Sequence, residues 1–133
     1  MRVNVVDPKF IVNMWKDIKP YLQRALEHTD DYSAEQCKVF LTNGSWVLFV
    51  ALNKNGLQGV ATIAIENGVN HRTALITTIS GKGIINKDAM EQLISILKSF
   101  GITRIQGYAR DSLVRLYHCF GIYKKSNLVE VTL

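Results

Sequence analysis

Two short segments, TTISGKGI (77–84) and LYHCFGI (116–122), bracket the part of the chain that decides the fold. The first ends a run of β-branched residues in a glycine turn, and the second ends a helix at Gly121. Between them lie an amphipathic helix and a further strand, Ile102–Tyr108. Two strands joined by a crossover helix are parallel and right-handed when they share one sheet. The stretch therefore predicts a βαβ unit in the second half of the chain.

An antiparallel meander is predicted ahead of this unit. The segments 46–52, 57–66 and 72–79 are rich in β-branched and apolar residues, and Asn53–Gly56 reads as the hairpin turn between the first two. The middle segment contains Gly59, which indicates either a β-bulge or a close approach of another part of the backbone. The meander would lead directly into the first strand of the βαβ unit.

The N-terminal part of the chain predicts a strand and two helical regions. Residues 2–6 alternate weakly and read as an opening strand. An apolar stripe at helical spacing then runs from Ile11 to Leu26, and Pro20 within it predicts a kink or two short helices in sequence. Ser33-Ala34-Glu35-Gln36 fits a capping box, which starts the next helix.

Helix caps and a C-terminal segment complete the predicted architecture. Asn86 is the predicted cap of the crossover helix, Arg110 or Asp111 opens the last helix, and residues 128–133 are predicted to add a last strand. We therefore expect a single domain over residues 1–133, of α+β class, with a mixed sheet, a meander followed by a βαβ unit, and helices on both faces. Its exposed last strand could pair with a second copy to give a homodimer.

Composition limits the classes of function. With 47% hydrophobic and 20% charged residues, the chain reads as an ordinary globular protein, and its apolar runs are shorter than a membrane span. The N-terminus has no apolar signal-peptide core, so a cytoplasmic setting is expected. Cys37 and Cys119 lack metal-ligand spacing, so no metal site is predicted. The net charge is +5, but the basic residues are scattered rather than arranged in a stripe, so nucleic-acid binding is not predicted.

The glycine turn offers one recognisable kind of chemistry. Ser80-Gly81-Lys82-Gly83 follows a strand and precedes a helix N-terminus, where free backbone N–H groups and the helix dipole attract an anion such as pyrophosphate. The alternative is a tight turn that needs glycine for its backbone angles. Lys82 either adds a positive charge for phosphates or is a solvated turn residue.

The order of elements and two motifs resemble the GNAT superfamily of acyl-CoA-dependent N-acyltransferases. Leu116-Tyr117-x-x-x-Gly121-Ile122 resembles the family ending Leu-Tyr-x-x-x-Gly-Phe. Thr78-Ile79-Ser80-Gly81-Lys82-Gly83 is similar to the family's pyrophosphate motif, [Gln/Arg]-x-x-Gly-x-[Gly/Ala], with threonine at the first position. The resemblance covers nearly the whole chain and implies acetyl-CoA as co-substrate and a small-molecule or protein amine as acceptor.

The same resemblance implies roles for individual residues. The pyrophosphate would be cradled by the backbone N–H groups of Gly81, Lys82, Gly83 and Ile84. Thr77, Thr78 and Ile79 would lie along the pantetheine arm. Tyr117 would hydrogen-bond or protonate the departing thiolate, and its alternative role is that of a core aromatic residue on the apolar side of its helix.

A general base is the part of this chemistry that the sequence does not supply. No acidic residue lies between His71 and Gly83, although the family frequently uses a glutamate on its central strands. Glu66 and His71 are the nearest candidates, and both adjoin turn residues where solvent exposure is expected.

A narrower resemblance points to a second class of function. The segments Trp15–Glu27 and Trp46–Ala51 are similar to small GNAT-like proteins encoded by bacteriophages and prophages. In that branch the CoA motif is often eroded, and some members are virion proteins without known acyl transfer. The alternative is therefore a viral GNAT-fold protein without catalysis, located in the host cytoplasm or with the virion, that acts through interaction with a partner.

Overall fold

The computed structural model describes residues 1–133 and contains one five-stranded sheet in the order β1-β2-β3-β4-β5. The strands are β1 Arg2–Val6, β2 Trp46–Asn53, β3 Gly56–Asn67, β4 Arg72–Ser80 and β5 Arg104–Gly107. The helices are α1 Ile11–Ala25, α2 Ala34–Thr42, α3 Lys87–Ser99 and α4 Asp111–His118. The first four strands pair antiparallel, and β5 pairs parallel with β4 through the crossover helix α3. The predicted α+β class, mixed sheet and βαβ unit are confirmed.

Helices cover both faces of the sheet, as predicted. On one face, α1 and α2 bury Ile18 and Leu22 against Leu48 and other side chains of the central strands. On the other face, α3 and α4 pack against Phe49 and its neighbours, with Leu93 among the buried residues. The alternation of side chains along the strands supplies an apolar row to each face. None of the four helices has the length and apolar content that a membrane span requires.

The predicted helix caps are confirmed by hydrogen bonds. In the capping box, the backbone N–H of Gln36 donates to Ser33 Oγ over 3.2 Å, and the backbone N–H of Ser33 donates to Gln36 Oε1 over 2.9 Å. At the start of α3, the N–H of Ala89 donates to Asn86 Oδ1 over 2.9 Å. Because the first turn of a helix lacks internal acceptors for its N–H groups, these caps fix where α2 and α3 begin.

Two expectations about regular structure require correction. Helix α1 continues through Pro20 from Ile11 to Ala25, so the alternative of two short helices was wrong. Burial of Ile18 and Leu22, one before and one after the proline, holds this segment on the sheet despite the lost hydrogen bond. The predicted last strand over residues 128–133 was also wrong, because these residues form no strand and pair with no neighbour. Their β-favouring side chains are exposed, and such residues form a strand only when packing and pairing support it.

The turn after β4 docks onto β3 at Gly59. The pairing of Ala51 with Gly59 and of Leu52 with Leu57 leaves one extra residue on β3, which is a β-bulge. A Cβ atom on Gly59 would lie only 2.8 Å from the backbone nitrogen of Ile84. The extra residue is Gln58, so the bulge lies directly beside Gly59 and the close backbone approach lies at Gly59 itself.

A second bulge lies on β4 and opens the sheet. Thr62 pairs with Thr78, whereas Ile63 pairs with Ile76, so Thr77 is the extra residue. The parallel pairing of β4 with β5 ends at Ile76 and Gly107. Strand β4 continues to Ser80 without a strand neighbour on that edge. The two parallel strands therefore diverge at their C-terminal ends, where open α/β sheets bind ligands.

Candidate active site

A cavity of about 110 Å³ lies where β4 and β5 diverge. It is lined by Ala25, Ile76, Thr77, Thr78, Ile79, Ile105, Gln106, Gly107, Tyr108, Leu113, Tyr117 and Ile122. Its volume is below the roughly 300–1,000 Å³ of complete small-molecule pockets, so it is too small to enclose a whole drug-sized ligand. The lining is mostly apolar, and its polar groups are threonine and tyrosine hydroxyls, the Gln106 amide and backbone groups of the strand ends.

The structure brings some of the predicted site residues together and separates others. Thr77, Thr78, Ile79 and Tyr117 line the cavity, although they come from two elements that are far apart in sequence. The residues of the glycine turn, 81–84, lie past the end of β4 and do not line it. The cavity and the turn therefore form successive parts of one edge of the sheet.

Tyr117 has the burial of a core residue and a hydroxyl group without a partner in the protein. It is only 9% exposed and belongs to the apolar cluster beneath α3 and α4. Its hydroxyl makes no hydrogen bond to the protein, yet no fully buried polar atom lacks a partner, so this hydroxyl is accessible from the cavity. Burial raises the pKa of Tyr117 to about 12. The phenol therefore stays protonated at neutral pH and is a hydrogen-bond donor in apolar surroundings.

A chain of three hydroxyl groups crosses from β3 to β4 at the bulge. Thr77 Oγ1 donates to the backbone oxygen of Thr62 over 2.9 Å. The hydroxyl of Thr62 lies 2.7 Å from Thr77 Oγ1 and 2.6 Å from Thr78 Oγ1. We call these three residues the threonine chain. It compensates for the ladder bonds that the bulge disrupts, and it places two hydroxyl-bearing residues on the cavity wall.

Hydrogen bonds within the protein use two of the four backbone N–H groups that were predicted to cradle a phosphate. The N–H of Gly83 donates to the backbone oxygen of Gln58 over 3.1 Å, and the N–H of Ile84 donates to that of Gly81 over 3.2 Å. These two donors are thus already used within the protein. The N–H groups of Gly81 and Lys82 donate to no protein acceptor, so only half of the predicted cradle is free. Packing of the turn on β3 uses the Gly83 donor, and a hydrogen bond within the turn uses the Ile84 donor.

The charged and basic candidates lie away from the cavity. Lys82 is exposed and makes no ion pair. Glu66 is exposed, and His71 is an exposed residue whose Nδ1 lies 3.0 Å from Thr103 Oγ1. Every aspartate, glutamate and histidine of the chain is exposed, and none lines the cavity. No side chain of the cavity wall can therefore act as a carboxylate or imidazole base.

Sequence reasoning missed part of the wall. Gln106, Gly107 and Tyr108 at the end of β5 and Ala25 at the end of α1 all line the cavity. The C-terminal position of the first three in a parallel strand was the available signal, because ligands bind at such strand ends. Ala25 carried no signal, since a small residue on an apolar helix stripe looks like any other core position.

Solved structures share this fold over essentially the whole chain. A probable acetyltransferase superposes with a TM-score of 0.73 at 13% identity, covering 100% of this chain and 97% of that chain. An aminoglycoside acetyltransferase from an uncultured soil metagenomic sample, solved with sisomicin, gives 0.74 at 12% identity, covering 99% and 94%. A predicted acetyltransferase from Clostridium acetobutylicum, solved with acetyl-CoA, gives 0.70 at 17% identity, covering 98% and 95%.

The fold is therefore that of the GNAT acetyltransferases, as the resemblance implied. No family model matches the chain, and no curated protein matches it. The compared proteins carry no indication of a phage origin, which stays a prediction from sequence.

Replacement of Gly83 tests whether this glycine is required by packing. A Cβ atom there would lie 2.2 Å from Gln58 Cβ and 2.7 Å from the Gln58 oxygen. We expect Gly83→Ala to lower the free energy of unfolding by roughly 1–3 kcal/mol, as overpacking does. Urea denaturation measures this change. Gly107→Ala is the matched control, since its Cβ would meet Ile76 Cβ at an ordinary 3.4 Å. Equal stability of Gly83→Ala and the wild type would contradict the packing role.

The buried phenol predicts a loss of stability at alkaline pH. The pKa of Tyr117 is about 12 in the folded protein, against an ordinary 10.0, so the folded state holds its proton longer than the unfolded chain. Stability is fully present below pH 10 and falls as the pH rises towards 12, by about 1.4 kcal/mol per pH unit at most. Urea denaturation at several pH values should show a shallower fall for Tyr117→Phe. Burial also raises the pKa of Cys37, to about 11, but that contribution is common to both proteins. Parallel curves would contradict the assignment.

Proposed function

We propose that the protein is an acetyl-CoA-dependent N-acetyltransferase that transfers an acetyl group to a primary amine by direct attack. The observation that carries this proposal is the accessible hydroxyl of Tyr117 in the cleft between the diverging strands. Its support from comparison is the fold, which is shared with an acetyltransferase solved with acetyl-CoA and with one solved with sisomicin.

The free edge of β4 fits an extended, amide-containing ligand. Residues 77–80 have no strand neighbour on the side of β5, so their backbone groups on that edge are available to the pantetheine arm of acetyl-CoA. Recognition of an extended chain by an open sheet edge is a general mode of binding. Thr77, Thr78 and Ile79 would contact the arm through their backbone, which agrees with the role that the resemblance implied.

The glycine turn would hold the pyrophosphate with fewer backbone donors than predicted. Gly81 and Lys82 retain free N–H groups, and the exposed Lys82 ammonium adds a positive charge near them. Gly83 and Ile84 would shape the turn rather than donate to phosphate, because their N–H groups are bonded within the protein. The amide nitrogen of Asn86 locks this shape by donating to the backbone oxygens of Lys82 and Gly83 over 2.9 and 3.0 Å.

Tyr117 would stabilise the leaving group as a hydrogen-bond donor. A pKa of about 12 lies well above the roughly 8.5 of an ordinary thiol, so the proton stays on the phenol while negative charge develops on sulfur. A neutral donor in apolar surroundings interacts strongly with a developing anion. Of the two roles that the resemblance implied for Tyr117, we therefore propose the hydrogen bond to the thiolate and not its protonation, because the pKa of the phenol lies well above that of a thiol.

A non-catalytic protein with the same fold is the second candidate. Two of the four predicted phosphate donors are used internally, and threonine occupies the position of the family's glutamine or arginine. A protein that kept the scaffold and lost the co-substrate would show these features. It would then act through contacts with another macromolecule.

Calorimetric titration with acetyl-CoA and with CoA separates the two candidates. The enzyme proposal expects saturable binding with a dissociation constant in the micromolar range. Desulfo-CoA, which lacks the thiol, is the matched ligand for the reacting end of the site. Absence of heat at millimolar acetyl-CoA would refute the enzyme and leave the interaction protein.

Tyr117→Phe tests the leaving-group role. Removal of a hydroxyl that interacts mainly in the transition state should lower kcat by about ten- to a thousand-fold. The affinity for acetyl-CoA should change little, because the ring and its packing are kept. Thiol release measures kcat, and calorimetry measures affinity. Tyr108→Phe is the matched control, since Tyr108 lines the same cavity but is 77% exposed. An equal loss in both variants would contradict the assignment.

A further inference from the structure

The lining of the cavity includes residues of helices on both faces of the sheet, and Thr78 and Tyr117 lie on opposite faces. Ala61 and Ile63 belong to the cluster beneath α3 and α4, so Thr62 between them points to the face covered by α1 and α2. The hydrogen bond from Thr62 to Thr78 places the Thr78 side chain on that same face. Ala25 at the end of α1 also lines the cavity. A nucleophile that arrives from the side of α1 therefore meets Thr78 opposite Tyr117.

The protons of the threonine chain are fully determined by its hydrogen bonds. Thr77 uses its single hydroxyl proton on the backbone oxygen of Thr62. In the 2.7 Å contact between Thr62 and Thr77, the hydroxyl of Thr62 must then be the donor and that of Thr77 the acceptor. In the 2.6 Å contact between Thr62 and Thr78, the hydroxyl of Thr78 must be the donor, because Thr62 has already used its only hydroxyl proton. The Thr78 oxygen donates once and keeps its lone pairs. Thr78 lines the cavity, so this oxygen is the available hydroxyl acceptor at that wall and has no proton left to donate to a ligand.

The remainder of the wall disfavours a charged amine. Of the titratable side chains on the elements around the cavity, only Tyr108 and Tyr117 line it. Arg104 on β5 donates from Nε to Thr73 Oγ1, while Arg24, Glu27 and His28 at the end of α1 and Arg115 on α4 are exposed and do not line it. An ammonium group that leaves water for an apolar wall without a carboxylate loses its solvation without compensation. The neutral amine does not carry this cost.

We propose that the acceptor amine enters the cavity uncharged, with one N–H group donated to Thr78 Oγ1, and that the acceptors are therefore weakly basic amines. The inference rests on the proposed function and names the substrate class of the same site. At pH 7 an α-amino group is neutral roughly 400 times more often than a lysine side chain, from their ordinary pKa values. A site without a base of its own selects on this difference.

The threonine oxygen leaves the nitrogen lone pair free for the reaction. That lone pair forms the new N–C bond to the acetyl carbonyl carbon, and the C–S bond breaks with its electrons on sulfur, where Tyr117 donates a hydrogen bond. The amide nitrogen loses one proton to water, and the thiolate of CoA gains one from water. The products are an N-acetyl amine and CoA, so the step balances without another reactant.

The pH profile of a graded acceptor series tests the uncharged amine. Ethylamine and its mono-, di- and trifluoro derivatives share one skeleton, and each fluorine lowers the basicity of the nitrogen. We expect log(kcat/KM) to rise with slope one below the pKa of each amine and to become flat above it, so that the midpoint moves along the series. Thiol release measured between about pH 5 and 10 brackets the midpoints of the fluorinated amines, and ethylamine, which is as basic as a lysine side chain, should rise with slope one throughout this range, all of it below the ionisation of Tyr117. A midpoint common to all four amines would show a base on the enzyme and overturn the inference.

Thr78→Val and Thr78→Ser test the acceptor oxygen. Valine removes the oxygen at similar volume and should raise the KM of the amine about tenfold, the effect of one hydrogen bond, with the KM of acetyl-CoA unchanged. Serine keeps the oxygen and should restore the wild-type value. If valine left the amine KM unchanged, or serine failed to restore it, the role of Thr78 would be overturned. Serine also guards against misfolding, because it preserves the hydrogen bond to Thr62.

A binding measurement separates this inference from the proposed function. Monofluoroethylamine, which is less basic than ethylamine but still mostly protonated in solution at pH 7, should release about one proton per amine bound when titrated into the CoA-saturated protein at that pH, seen as heat that depends on the ionisation enthalpy of the buffer. Binding without proton release would overturn the inference and leave acetyl transfer intact. Failure of acetyl-CoA itself to bind would refute the proposed function, and binding of acetyl-CoA without transfer to any amine of the series would refute the inference.

Discussion

The rest of the site depends on the point where the pairing of β4 with β5 stops. The last pair is Ile76 with Gly107, and the next residue of β4, Thr77, is the extra residue of a bulge. A bulge increases local twist and turns the strand away from its neighbour. The unpaired edge of β4, the cavity and the access of Tyr117 to that cavity all follow from this divergence. If β5 continued past Gly107 beside residues 77–80, the same residues would form a closed sheet with no room for a ligand.

A second constraint fixes the glycine turn and explains why its glycines need not indicate a phosphate site. A Cβ atom on Gly83 would lie 2.2 Å from Gln58 Cβ, so no side chain fits there, and a Cβ atom on Gly59 would lie 2.8 Å from the backbone nitrogen of Ile84. The turn is thus packed on β3 by contacts between backbones. This packing holds the start of α3 beside the end of β4, but it also uses the N–H group of Gly83, and the folded turn uses that of Ile84 on Gly81. A backbone N–H group that holds the turn in place is not free to bind an anion.

Local patterns predicted the elements well and the site only in part. The capping box of Ser33 and Gln36 and the cap at Asn86 are interactions between residues three apart, so the sequence alone contains them. The bulge at Thr77 has no such local signal, because threonine is an equally good strand residue in regular pairing. It arises from the register between β3 and β4. The C-terminal residues 128–133 show the converse case, since their pattern favours a strand that no partner completes.

In this structure, a position in the core and a chemical role are compatible for Tyr117. Its ring belongs to the apolar cluster, and its hydroxyl reaches the cavity. The burial that makes it a core residue is also what raises its pKa and keeps it a neutral donor. On the opposite face, the threonine chain fixes the Thr78 oxygen as an acceptor. In the proposed reaction, a donor on one side of the cavity and an acceptor on the other would orient the site from an incoming N–H group to a departing anion. Both groups are neutral hydroxyls, so under this proposal the charge of the acceptor amine, rather than a charge on the protein, would decide what can react there.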